Sequence, residues 1–295
     1  IWDMIGPPRR SGVYGTPGCG YDGPHLVPFG AAVNALILTR KRKGPQMTQM
    51  IDTPSGRRLA LNATPGKGPW LVFLGGFKSD MEGTKALWLE GWARAEGRAF
   101  LRFDYSGHGV SDGEFEDGCI GDWAEDAQAV IEALTDGPVV LVGSSMGGWI
   151  SCLLARQMGA RIKGLVGIAA APDFTRNGFE AGFTPEQRAE MAATGRVALP
   201  SDYGEPYVIT RRLIEDGAQN LVLESPLSLP MPVRLLQGTA DADVPMEWAL
   251  RLLDHAQGED IRLTLVKGAD HRFSTPECLT LIGDAVAEVL AAQAA

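Results

Sequence analysis

Cysteine is scarce in this chain: four in 295 residues, Cys19, Cys119, Cys152 and Cys278, with no C-x-x-C pair and no zinc spacing. That excludes a disulfide-stapled scaffold and a cysteine metal cluster. It fits a reduced setting, the cytoplasm or, in a eukaryote, the mitochondrion. Basic charge is in deficit, with 27 Lys/Arg against 36 Asp/Glu and a net charge of −9. A surface of that sign argues against nucleic acid and against an anionic membrane as partner. No apolar run approaches the roughly 20 residues that span a bilayer. Histidine occurs only four times, and His and Asp do not gather at ligand spacing, so neither a metal nor a cofactor is implied.

What is present is an ordinary globular composition, 45% hydrophobic and 21% charged, long enough for one sizeable core or a core with a small cap. Residues 1–46 stand apart. They contain eight Gly and six Pro, and six Lys/Arg against two Asp give them +4, leaving −13 for residues 47–295. Their charges follow the apolar stretch "AAVNALIL", the reverse of a secretory signal. We therefore expect 1–46 to be a poorly ordered or non-native leader, and 47–295 to form the folded domain.

From residue 48 onward, strand-like and helix-like patterns alternate. "WLVFLGG" (70–76), "AFLRFDYSG" (99–107), "VVLVG" (139–143), "GLVGIAA" (164–170), "VRLLQG" (233–238) and "RLTLVKG" (262–268) read as strands, most of them apolar throughout. Helical spacing runs between them, as in 85–97, 122–134 and 247–258. The pattern predicts an α/β fold, a mostly parallel doubly wound sheet with helices on both faces. "MTQMIDTP" and "RRLALNATP" are expected to add an antiparallel hairpin at one edge. About 60 residues separate the fourth and fifth of those strands, too many for one crossover. They predict a helical lid at about 173–229, over the sheet edge where ligands bind.

One stretch carries the chemistry. "VVLVGSSMGGWI" passes from a β-branched apolar run, through two serines among glycines, into helical spacing at Trp149, Ile150, Leu153, Leu154 and Met158. The frame Gly143-Ser144-Ser145-Met146-Gly147 is G-x-S-x-G centred on Ser145. A sharp strand-to-helix turn forces its central residue toward positive φ and brings the chain two positions before and after close together. Only small residues fit there. Centred on Ser144, the frame would need glycine in place of Val142. Ser145 is therefore the candidate nucleophile.

A serine hydroxyl needs a base, and the base needs an acid to orient it. His25 falls in the leader, His255 is expected mid-helix facing solvent, and His108 follows an earlier strand. His271, in "VKGADHRFS", follows the last strand and falls on the same sheet edge as Ser145. The acid should follow the strand before that one, where "GTADADVP" offers Asp241 and Asp243. Asp241 stands three residues past Gly238, at the turn, whereas Asp243 lies nearer the next helix and is expected to cap it. The order Ser, Asp, His is that of α/β-hydrolase chains. Backbone N–H groups of Met146, after the serine, and Phe77, after Gly75-Gly76, are the candidate oxyanion donors.

"FLGGFKSDMEGTKA", "FDYSGHGVSDG", "GSSMGGW", "GTADADVP" and "DHRFS" resemble one subfamily of the α/β-hydrolase serine esterases, over residues of about 50 to 290. It is the palmitoyl-protein thioesterase and mycophenolic acid acyl-glucuronide esterase subfamily, with its bacterial relatives. The resemblance implies Ser145, Asp241 and His271 as a catalytic triad, hydrolysis of a small-molecule ester or acyl thioester, and no cofactor. The lid resembles the subfamily less clearly, so substrate identity stays open. An acyltransferase or cofactor-free perhydrolase would use the same residues, and a non-catalytic binding module would have no need of them. Nothing in the sequence decides the oligomeric state.

Overall fold

The computed structural model describes residues 48–200 and 206–293. The leader 1–46, with His25 and Cys19, lies outside the described residues. The chain opens on an antiparallel hairpin, β1 (Gln49–Asp52) and β2 (Arg58–Thr64), then continues through β3 (Lys67–Leu74), α1 (Thr84–Ala95), β4 (Arg98–Phe103) and α2 (Ile120–Leu134). Next come β5 (Val139–Ser144), α3 (Met146–Met158) and β6 (Ile162–Ile168). After a long insertion follow β10 (Val233–Gly238), α6 (Met246–His255), β12 (Ile261–Val266) and α7 (Pro276–Ala292).

These strands form an 8-stranded sheet in the order β1-β2-β4-β3-β5-β6-β10-β12. β1 and β2 are antiparallel, and every pair from β4 to β12 is parallel. The loops after β3, β5, β10 and β12 consequently emerge at one edge. The central strands are buried on both faces, which is why they read as continuous apolar runs. In β5, Val139 and Leu141 face the core beneath α2 and α3, while Val140 and Val142 face the core beneath α1 and α7. Each such side chain stabilises the fold by roughly 1.5–3 kcal/mol.

The insertion departs in part from the expected helices. It contains a π-helical turn (Thr175–Glu180), α4 (Pro185–Thr194), α5 (Arg211–Gln219), and an antiparallel hairpin of β7 (Arg196–Leu199) and β8 (Tyr207–Thr210). "YVIT", expected in a helix, is a strand because its β-branched residues pair with "RVAL" and bury Val197 against Ile209. Two-residue strands β9 (Leu227–Ser228) and β11 (Ala256–Gln257) join its end to the main body. Asp173, fully buried, accepts the N–H groups of Val222 and Leu223 at 2.9 Å each, tying the start of the insertion to its end. Asp216 of α5 accepts the Gly121 N–H at 2.8 Å in the first turn of α2. No helix of the described residues is long and apolar enough to cross a membrane.

Candidate active site

Ser145 occupies the turn between β5 and α3 with φ 54° and ψ −116°. A Cβ on Gly143 would overlap the Gly147 carbonyl, and one on Gly147 would overlap the Leu74 carbonyl. The glycines are there because the chain passes itself and the end of β3 too closely for side chains. Positive φ also occurs at Lys78, Ala169, Asp173 and Phe273, all in loops at the same sheet edge. Such conformations cost of order 1–3 kcal/mol each and collect where a site holds them.

His271 Nε2 lies 3.2 Å from Ser145 Oγ, and its Nδ1 lies 2.9 Å from Asp241 Oδ2. A carboxylate only accepts, so Nδ1 carries the proton and Nε2 is left to accept from the serine. The Asp241 side chain is fully buried and saturated. Oδ1 accepts the N–H groups of Asp243 and Val244, at 3.0 and 2.8 Å. Oδ2 accepts Gln237 Nε2 at 3.0 Å in addition to the imidazole. Asp243 is exposed, and α6 follows Pro245 at its N-cap position without a side-chain cap. The expected capping role of Asp243 is not found, because its own N–H is folded back onto Asp241. His255 is also displaced from expectation: it is the last residue of α6, half-buried, and its Nε2 donates to the Ser225 carbonyl at 2.8 Å.

Asp241, Asp243 and His271 bring ligand-type atoms within 4.8 Å of one another. Within that group His271 Nδ1 is hydrogen-bonded to Asp241 Oδ2, while Asp241 Oδ1 is occupied by the N–H groups of Asp243 and Val244.

The loop after β3 reaches the serine. A Cβ on Gly76 would lie 3.4 Å from Ser145 Cβ. Among the described residues the Phe77 N–H has no hydrogen-bond partner. Met146 is the first residue of α3, where a helix N–H has no acceptor of its own.

The alpha/beta hydrolase fold family matches residues 69–195. The human mitochondrial palmitoyl-protein thioesterase ABHD10 is 34% identical over 260 residues, covering 84% of this chain and 85% of that protein. The solved mouse alpha/beta hydrolase domain-containing protein 10 superposes with a TM-score of 0.77 at 31% identity, over 83% of this chain and 98% of that one. A hydrolase structure from Agrobacterium vitis S4 gives a TM-score of 0.80 at 40% identity, over 83% and 99%. The chain belongs to the α/β-hydrolase family.

In this hydrolase the serine, histidine and Phe77 line one cavity of about 480 Å³. One wall is aromatic, with Phe77, Phe174, Phe179, Tyr207 and Trp248. The Phe77 ring packs edge-on against Phe174, Phe179 and Tyr207 of the insertion, at centroid distances of 5.5, 5.7 and 5.6 Å. Burial alone would raise the Asp241 carboxyl, but the hydrogen bonds from His271, Val244 and Gln237 outweigh it and hold the group below the ordinary carboxylate value. Lys85 stands at the other side, its Nζ donating to the Arg272 carbonyl at 2.5 Å. Burial lowers its ammonium to about 8, against the opposing charges of Asp270 and Asp241.

Three polar residues of this neighbourhood escaped the sequence reading. Gln237 is, with Arg234, one of two polar residues in an otherwise apolar strand, and that is the signal that marks it. Lys85 falls in the helical pattern 85–97, where spacing alone gives no sign of its burial. His108, a base candidate in the sequence, is buried against the loop after β3.

Proposed function

We propose that this hydrolase cleaves carboxylic esters through Ser145, His271 and Asp241, by way of an acyl-enzyme. The observation that carries the reading is the unbroken relay from Ser145 Oγ to His271 at 3.2 Å and from His271 to Asp241 at 2.9 Å, opening into the cavity. His271 Nε2 removes the Ser145 proton as Oγ attacks the acyl carbonyl. The Asp241 carboxylate keeps the imidazole oriented and stabilises the imidazolium that forms. The N–H groups of Phe77 and Met146 meet the oxyanion of the tetrahedral intermediate. Its collapse releases the leaving group, protonated by His271, and leaves the acyl group on Ser145. Water, deprotonated by the same imidazole, attacks that ester and frees the acid. The insertion carrying Phe174, Phe179 and Tyr207 acts as the lid and supplies the apolar wall for the acyl group.

A second reading is thioester hydrolysis, supported by relatives at 34% identity that are named palmitoyl-protein thioesterases. The residues are the same for both. A thiolate, with a thiol pKa of about 8.5, needs less protonation as it leaves than an alkoxide does. The same relatives are named mitochondrial, which favours that location over the cytoplasm.

The test is a hydrolysis panel: p-nitrophenyl esters of graded acyl length beside acyl-CoA and S-acyl-peptide thioesters, with Ser145→Ala as control. Turnover of esters that disappears in Ser145→Ala supports the first reading, and a strong preference for thioesters supports the second. Turnover that survives Ser145→Ala overturns both.

A further inference from the structure

The strand β4 runs into a loop, "DYSGHGVSDG", whose histidine takes no part in the relay. His108 is 3% exposed and boxed by rings: Tyr105 at 5.5 Å, Phe115 at 5.0 Å and Trp123 at 5.0 Å between centroids. Its Nδ1 lies 3.2 Å from the Ser106 carbonyl, and its Nε2 lies 3.3 Å from the Lys78 N–H. A carbonyl accepts and a backbone N–H donates, so the pair of bonds admits one tautomer, with the proton on Nδ1 and a bare Nε2.

The peptide that this nitrogen holds is a strained one. Ser79 N–H donates to the Gly76 carbonyl at 3.2 Å, closing a turn over Gly76–Ser79 with Lys78 in its third position at φ 56°. A turn with positive φ at that position ordinarily carries glycine there. Lysine has no intrinsic reason to adopt it, so the conformation needs an external hold. The Lys78 N–H belongs to the peptide directly after the Phe77 Cα. Together with the Ser79 N–H to Gly76 carbonyl bond that closes the turn, anchoring it restricts the rotation about Phe77 and so the direction of the Phe77 N–H. Asp104 ties the same two loops independently, accepting the Met81 N–H at 2.6 Å and the Val110 N–H at 3.0 Å.

We propose that His108 is a positioning residue of the oxyanion loop, its unprotonated Nε2 accepting the Lys78 N–H and so aiming the Phe77 N–H at the oxyanion beside Ser145. This rests on the roles given above to Phe77 and Ser145. Burial supports it by pushing the imidazole down to about 4, so the ring stays neutral at ordinary pH. A protonated ring would turn a donor against the Lys78 N–H.

His108→Phe keeps the ring in its aromatic box and removes the acceptor. It should lower kcat on the order of 10- to 100-fold, part of the 10²–10³ that a whole oxyanion donor is worth. KM should stay near its wild-type value, and an alkylboronic acid, whose serine adduct is tetrahedral, should lose affinity by the factor lost from kcat. His108→Gln, whose Oε1 can accept the same N–H, should recover most of the rate. In the wild type, ring ¹⁵N shifts should report a bare Nε2 and a protonated Nδ1 from about pH 5 to 8. The proposal is overturned if the ring carries its proton on Nε2, or if folded His108→Phe turns over normally. It is also overturned if His108→Gln is as slow as His108→Phe. Should His108→Phe fail to fold, the ring tautomer and the Gln variant still decide. Activity surviving in Ser145→Ala would sink the reading on which this rests. An inactive Ser145→Ala beside an unimpaired His108→Phe would sink this inference alone.

Discussion

Gln237 and His271 donate to the same oxygen: Oδ2 of Asp241 takes the amide Nε2 at 3.0 Å and the imidazole Nδ1 at 2.9 Å. Gln237 is fully buried and its amide also donates to the Val244 carbonyl at 3.0 Å, so it braces the turn that carries Asp241. Replacing it by leucine leaves a buried carbonyl and part of a carboxylate without a donor. We expect Gln237→Leu to cost roughly 1–3 kcal/mol of stability. With one donor fewer, Asp241 is held less firmly beside His271, so kcat should fall as well. A kcat that stays at its wild-type value would show that Gln237 does not hold Asp241 in place for the reaction.

The two serines of the elbow should separate cleanly. Ser145 stands 3.2 Å from His271 Nε2, whereas Ser144 ends β5 and is paired with Ile168 in the sheet. A fluorophosphonate probe should label the wild type and Ser144→Ala, the adduct mapping to Ser145 by peptide mass. Ser145→Ala should not label. An adduct on Ser144 would reverse the assignment.

Asp241 and Asp243 should differ as sharply. Asp241→Asn keeps the shape but no longer stabilises the imidazolium, and by analogy with the chymotrypsin-type triad we expect kcat to fall on the order of 10²–10⁴-fold. Asp243→Asn changes an exposed side chain that caps no helix, and kcat should stay near its wild-type value. The Asp241 carboxyl is held below its unfolded value of about 3.9, so its contribution is present above that pH and lost as pH falls through the folded value. Melting temperature between about pH 5 and 3 should accordingly decline less in Asp241→Asn than in wild type.

Lys85 should be visible at the alkaline end. Its ammonium gives up its proton near pH 8 in the folded chain but near pH 10.4, or about that, when unfolded. Between those values the unfolded state binds the extra proton, so stability rises with pH on this account. The difference in melting temperature between wild type and Lys85→Met should grow from about pH 8 to 10 in favour of the wild type. The wild-type kcat/KM profile should also carry an inflection near pH 8 that the variant lacks. Superposable profiles and a constant melting difference would mean that burial does not depress Lys85.

The sequence by itself determined the elbow and the sheet. A strand, a tight turn and a helix are local events, and the glycines at 143 and 147 announce a close approach that the structure contains. Apolar runs such as 139–142 announced strands covered on both faces. Even the candidate histidine could be chosen, because in a parallel sheet every loop after a strand emerges at one edge. The tertiary structure alone decided what each polar group in those loops does. Ser145 and His271 meet across 126 positions of sequence. Whether Asp241 or Asp243 faces the imidazole depends on how one turn folds back on itself. The hairpin of β7 and β8 forms because Val197 finds Ile209 across the insertion. His108 became a loop anchor only when Phe115 and Trp123 closed around it and left Nε2 facing Lys78. Spacing along the chain encodes short-range geometry, whereas burial and hydrogen-bond partners are fixed by residues that meet only after the chain has packed.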